Sequence, residues 1–145
     1  ARAIRPLVGL AAQGSEAVTR YAEALAGSEV GTGLSDDKFF ARVGRYTEAQ
    51  RRRRALTIAR TELMNAGNAG QQKLWEIAVK RKLLKADRVE RVWIITPDEA
   101  ICPICMALNN ATAPLMGPFP DGTLRPPRHV NCRCCTGLRA KKARG

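Results

Sequence analysis

The chain has 145 residues, of which 45% are apolar and only 5% aromatic; that is the size of one ordinary domain with material for a core, and a core of Ala, Leu, Val and Ile suits packed helices better than a large sheet sandwich. A formal charge of +12, from 25 Lys and Arg against 13 Asp and Glu, points to polyanionic partners. No window approaches the roughly 18 consecutive apolar residues of a membrane span and no secretory leader opens the chain, so the expectation is a soluble, cytosol-made protein with no membrane partner.

In chain order, Val18, Tyr21, Ala22 and Leu25 continue a helical spacing begun at Ile4, Leu7, Val8 and Ala11, which predicts an amphipathic helix over residues 6–26 with Pro6 in its first turn. Its apolar stripe must be covered by the rest of the chain or by a neighbouring subunit, and the neighbour is the favoured expectation. Residues 27–33 break the pattern, and Ser35 with Asp36 and Asp37 restarts it as an N-cap followed by acidic side chains, with Phe39, Phe40 and Val43 as the buried side. Thr47 and Gln50 fit a capping box, and one register then runs through Ala59, Leu63, Ala66, Gly70, Leu74, Ile77 and Leu84. This predicts a long helix over 48–85, bent near residues 65–70, where small side chains would let another backbone approach closely.

Residues 89–96 are β-branched and aromatic and stop at Pro97, so they are the best strand. Residues 111–128 hold five prolines and the turn Pro120-Asp121-Gly122, a loop with a short hairpin. A second strand is expected over 134–138, paired with the first, before a basic tail. The fold class is therefore mainly α with a small β element: long helices plus a compact C-terminal α+β module. Residues 1–46 carry six basic and five acidic side chains, and residues 47–145 carry nineteen and eight, net +11. We accordingly divide the chain into a helical docking segment, 1–46, and a basic domain, 47–145.

Five cysteines cannot all pair within one chain. Four of them stand with the only histidine in two clusters, Cys102-Pro103-Ile104-Cys105 and His129-Val130-Asn131-Cys132-Arg133-Cys134, with Cys135 alongside. Two turns of this kind offer a closed Cys₃His set for one structural zinc ion. Cys102, Cys105, His129 and Cys132 are the expected ligands, with Cys134 able to replace His129 or Cys132. The bland alternative is a set of buried thiols. Arg133 beside the thiolates is either a charge partner or an ordinary surface arginine.

Catalysis has no visible cast. A zinc deaminase needs a His-x-Glu ahead of its Cys-x-x-Cys, a His-based nuclease needs a histidine besides the ligands, and no phosphate loop or Ser-His-Asp set occurs. No catalytic residue and no small-molecule substrate are expected.

The order Ile58-Ala59-Arg60-Thr61-Glu62, Ala66-Gly67-Asn68, Trp93, Asp98, Cys102-Pro103-Ile104-Cys105 and His129-Val130-Asn131-Cys132-Arg133-Cys134 resembles the phage Mu F-like minor head proteins, or head-morphogenesis domain, over about residues 50–138. Val130 departs from the proline common after that histidine. The resemblance implies a low-copy head protein at the portal vertex that contacts the portal or major capsid protein, acts in head assembly and touches packaged double-stranded DNA. It further implies residence in the virion, with host cytoplasm as the site of assembly. Arg60, Thr61, Glu62 and Asp98 become structural motif residues, with Arg60 or Glu62 expected to hydrogen-bond around Asp98, or else to be solvated helix charges.

Candidate nucleic-acid contacts are Arg51, Arg52, Arg53 and Arg54, then Lys80 and Lys82 within the cluster that also holds Arg81 and Lys85, then Lys141 and Lys142 in the tail. Successive helical positions step by about 100°, so the four arginines cannot all face one groove. Contact of this type is sequence-independent and salt-sensitive. The competing reading is a zinc-ribbon-like nucleic-acid-binding regulator, whose metal turns would themselves carry the charge. Residues 97–124, however, contain no Lys or Arg and three acids, Asp98, Glu99 and Asp121.

Overall fold

The computed structural model describes residues 10, 12–96 and 102–141. It is mainly helical with one small three-stranded antiparallel sheet, and it divides into two compact units, residues 1–57 and 58–145.

In the first unit, α1 spans Ala12–Ala26; residues 1–9, including Pro6, and residue 11 lie outside the description. Val18, Ala22 and Leu25 are buried against Phe39 and Val43 of α3 (Asp36–Lys80), and Tyr21 stacks on Tyr46 with ring centroids 4.3 Å apart. These three residues of the α1 stripe, expected to face a neighbouring subunit, are therefore covered by the chain itself. The predicted break at 27–33 holds a single helical turn, α2 (Glu29–Thr32), capped by Ser28. Gly31 is required there, because a Cβ would lie 1.6 Å from the Leu25 carbonyl oxygen.

The helix restarts at Asp36 as the Ser35 signal predicts, but Phe40 is exposed where burial was expected. No second start occurs at Thr47. Its hydroxyl donates to the Val43 carbonyl at 2.8 Å inside one continuous helix; a threonine can bond back one turn as readily as it caps. The helix also stops at Lys80, short of residue 85. Lys82 takes φ 59°, and the N–H groups of Lys82 and Leu83 return to Val79 and Ala78, the bonding of a left-handed C-terminal cap.

In the second unit the apolar register of α3 faces solvent. Leu63 and Leu74 are 72% and 66% exposed, and Cβ atoms built on Gly67 and Gly70 meet nothing within 4 Å. Among the described residues no backbone makes the close approach expected at those glycines. The face that docks carries half-buried Met64, Trp75 and Val79 but bonds through polar side chains: Thr61 accepts from Asn131 N–H at 3.0 Å, Asn68 donates to the carbonyls of Met64 and Cys134, and Gln72 donates to the Leu115 carbonyl at 3.0 Å. Spacings of seven and four place these three side chains on one face.

β1 (Val89–Ile94) is the middle strand, antiparallel to β2 (Thr112–Pro114) and to β3 (Cys135–Ala140), in the order β2-β1-β3. Glu90 lies opposite Pro114 on one side and Arg139 on the other. The expected pairing of the two strands holds, with β1 two residues shorter than predicted and β3 shifted to 135–140. The predicted turn forms where Gly122 N–H returns to the Phe119 carbonyl at 2.9 Å, with Gly122 at φ 81°.

Candidate metal centre

Alternation along β1 sends Arg91 and Trp93 to the same side, and both are buried. Trp93 meets Phe119 edge to face at 5.0 Å, and Cys105, Cys132 and Cys134 complete this core with Leu108 and Ala113. Three of its seven buried residues are thus thiols.

Two short turns present the donors. Cys102 caps the one-turn helix α4 (Pro103–Ala107), its sulfur accepting the Cys105 N–H at 3.3 Å; Pro103 suits the first helical position, where no N–H is needed. In the second turn Cys132 N–H bonds the His129 carbonyl at 3.1 Å while Asn131 takes φ 59°, a conformation asparagine tolerates better than most residues. The His129 Nε2 lies 3.0 Å from Cys102 Sγ and 2.9 Å from Cys105 Sγ, and Cys105 Sγ is 3.8 Å from Cys132 Sγ. Cys102, Cys105 and His129 form one group with donor atoms within 4.8 Å of one another, and Cys105, Cys132 and Cys134 form a second. Cys105 belongs to both.

The proton on Nδ1 of the imidazole follows from a neighbour. Nδ1 lies 2.8 Å from the Val130 carbonyl, which only accepts, so Nδ1 carries a proton and Nε2 is the ring nitrogen left to face the thiols. Only the backbone of Val130 is used, so valine in place of proline leaves this contact intact.

The sulfurs differ in their readiness to ionise. The Cys105 N–H draws the Cys102 thiol below its ordinary value against the opposing effect of burial, and nearby His129 adds to the lowering. Burial pushes Cys132 up, but hydrogen bonds from the backbone of Arg128 and Cys134 and with the Cys134 and Cys105 thiols together outweigh it, and the net shift is downward. Burial and neighbouring thiols push Cys105 up, and burial pushes Cys134 up against a lowering contribution from Trp93. The Trp93 Nε1 is buried without a partner at hydrogen-bonding distance, so the interaction with Cys134 is a loose one. A dication resolves this crowding of incipient anions. Tetrahedral zinc sets S···S edges at about 3.8 Å and S···N edges at about 3.5 Å; the sulfur pair already fits, and the imidazole needs to recede by roughly half an ångström. Each group of three donors fits a metal, whereas the four expected ligands, Cys102, Cys105, His129 and Cys132, do not all lie within 4.8 Å of one another.

Of the motif residues, Thr61 is the one whose hydroxyl holds the second turn, whereas Arg60 and Glu62 are exposed and Asp98 lies outside the described residues. Arg52, Arg53 and Arg54 are exposed in the first unit and Arg51 pairs with Glu48. Lys80, Lys82 and Lys141 are exposed in the second unit; Lys142 is outside the description.

Sequence reasoning missed Arg91. Its guanidinium, 1% exposed, donates to the carbonyls of Pro114 (3.2 Å), Leu124 (2.6 Å) and Gly117 and to Gln72 Oε1 (3.0 Å), and lies 5.1 Å from the Phe119 ring. Burial, then the charge of Arg125, lowers its pKa. It gathers the irregular segment 114–124 onto the sheet. Its signal was available: it shares the strand parity of Trp93.

A mainly helical chain whose small sheet is closed by two donor-bearing turns defines the class, a structural module built around a Cys/His cluster able to hold a metal. A family model described as Phage Mu protein F like protein matches residues 19–137, and the chain belongs to that family, one of phage head morphogenesis. The match reaches nearer the N terminus than the motifs between residues 50 and 138. No curated protein and no solved structure matches the chain. No helix among the described residues is long and apolar enough to cross a membrane.

Proposed function

We propose that this is a structural, non-catalytic minor head protein of a tailed phage, whose second unit is organised by one structural zinc ion on Cys102, Cys105, His129 and Cys132, with Cys134 as substitute ligand. The observation that carries the reading is the convergence of the single histidine, through Nε2, on thiols of the other motif in a chain of this family. A structural zinc closes its coordination sphere with protein ligands and leaves no open position for chemistry, and the one imidazole of the chain is used in that sphere.

Within the phage we place the protein in the virion head at the portal vertex, after assembly in host cytoplasm. It contacts the portal protein or the major capsid protein and touches genomic double-stranded DNA without sequence preference, in head assembly and in DNA packaging or ejection. The regulator alternative is disfavoured by the first turn, where Ile104 and Met106 are exposed apolar side chains and no Lys or Arg occurs.

Metal analysis of the purified chain and cobalt(II) substitution test the site: one ion per chain with a three-sulfur, one-nitrogen spectrum is expected, and a metal-free folded protein would overturn it. Co-purification with the cognate portal and major capsid proteins tests the placement; binding to neither removes it.

A further inference from the structure

Two basic stretches that are far apart in sequence meet at one end of the second unit. The α3 cap carries Lys80, Arg81 and Lys82; Arg88 N–H then bonds the Lys85 carbonyl, and the Arg88 carbonyl accepts from Lys141 N–H at 2.9 Å. That last bond lies just beyond the Val89↔Ala140 pair that ends the β1–β3 ladder. Residues 85–88 and 139–141 therefore share one end of the sheet, and the α3 cap at residues 80–82 leads into it along the chain.

All seven cations there, Lys80, Arg81, Lys82, Lys85, Arg88, Arg139 and Lys141, are exposed. Glu90 pairs with Arg139 and Asp87 with Arg88. Among the described residues Lys80, Arg81, Lys82, Lys85 and Lys141 have no ion-pair partner. The metal turns stand at the opposite end of β1, where Ile94 pairs with Cys135 and Thr96 donates to the Arg133 carbonyl. Five residue steps of a strand separate the two ends by about 17 Å.

Helix-dipole compensation explains only part of this charge. That effect fades within the last turn, whereas Lys85 and Lys141 lie past it. Five cations without counter-anions among the described residues repel one another, and an external polyanion relieves the repulsion.

We propose that this end of the second unit, opposite the metal turns, is a docking surface for the phosphate backbone of double-stranded DNA. The proposal rests on the DNA reading above and adds where the contact falls: on this end, and not on Arg51, Arg52, Arg53 and Arg54 of the other unit. Nucleic acid is favoured over an acidic protein because four of the five unpaired cations are lysines, which protein interfaces deplete. Leu83, 78% exposed, is the one large exposed apolar side chain between residues 80 and 88. That stretch also lacks Asn and Gln, so it holds no amide side chain to read adenine edges.

The test measures binding of the full-length chain to duplexes of unrelated sequence over a range of potassium chloride concentrations. The variant Lys80→Gln/Arg81→Gln/Lys85→Gln/Lys141→Gln changes exposed side chains only, with circular dichroism and metal content as folding controls. Each lost phosphate contact flattens the plot of log affinity against log salt by about 0.9, so a loss of slope of roughly 3 to 4 is expected from four contacts, equal for every duplex. Replacing Arg51, Arg52, Arg53 and Arg54 with Gln should change the slope far less. The reverse ranking overturns this surface and leaves the DNA reading intact, whereas a native chain that binds no duplex overturns both. Poly-glutamate competing as well as DNA at equal charge would make it an acidic-protein surface, and would also overturn the assignment.

Discussion

The hydroxyl of Thr61 on the long helix accepts the backbone N–H of Asn131 at 3.0 Å, joining positions 70 residues apart at the centre of the second ligand turn. Asn131 stands in a left-handed conformation between His129 and Cys132, so this bond fixes the angle at which both candidate ligands enter the cluster. Thr61→Val keeps the shape and removes the acceptor. A cost of about 0.5–1.5 kcal/mol in denaturant titrations is expected, with metal affinity weakened roughly 10-fold or more, as for other outer partners of ligands. Arg60→Ala and Glu62→Ala change exposed side chains and should stay within about 0.5 kcal/mol of the native chain. Equal losses at all three positions would remove this role for Thr61.

That contact also explains which parts of the molecule the sequence revealed. Strand pairing, the two donor turns and the Pro120-Asp121-Gly122 turn were legible because each depends on local chemistry: β-branched runs, ligand spacing, and a glycine at φ 81°. The orientation of α3 in the second unit was not. Apolar periodicity selected Leu63, Gly70, Leu74 and Ile77, but that face is exposed, and the docked face is mixed, with Thr61, Asn68 and Gln72 holding the module by hydrogen bonds beside half-buried Met64, Trp75 and Val79. A pattern argument that scores only apolar burial points such a helix the wrong way. The continuous helix through Thr47 escaped for a related reason, since a threonine three residues before a glutamine reads alike whether it caps or bonds back to Val43.

Arg91 is the second long-range clamp. Its partners Pro114, Gly117, Leu124 and Gln72 are all neutral acceptors, so the charge is balanced by dipoles and no carboxylate among the described residues pairs with it. Lysine cannot span this fan of acceptors with one ammonium. Arg91→Lys should therefore strand buried carbonyls and cost about 2–4 kcal/mol, read as a lower melting temperature with the helical signal of the first unit retained. A neutral result would mean that the guanidinium contributes nothing net to holding residues 114–124.

Gly67 and Gly70 sit inside α3 with open space where their Cβ atoms would be. The entropic penalty of glycine in a helix is then uncompensated by any close contact within the chain. Gly67→Ala and Gly70→Ala should each stabilise by about 1 kcal/mol, and the two gains should add. Destabilisation by either would show that something packs on this face of the helix.

Metal removal should act on one unit and spare the other. Cys105, Cys132 and Cys134 make up three of the seven buried residues of the core that holds Trp93, so on the zinc reading proposed above, loss of the ion would untie the donor turns and much of that core together. A structural zinc supplies about 10–16 kcal/mol of apparent binding free energy, comparable to the entire stability of a small domain. A chelator should therefore abolish the near-ultraviolet signal of Trp93, while the α1 and α3 packing of Val18, Leu25, Phe39 and Val43, which involves no thiol, keeps its helical signal. Cys105→Ala should mimic chelation because Cys105 belongs to both donor groups. Cys135→Ser, in neither group, should bind metal and melt like the native chain. Thermal transitions unchanged by chelation would mean that the second unit is held by its hydrogen bonds and apolar contacts alone.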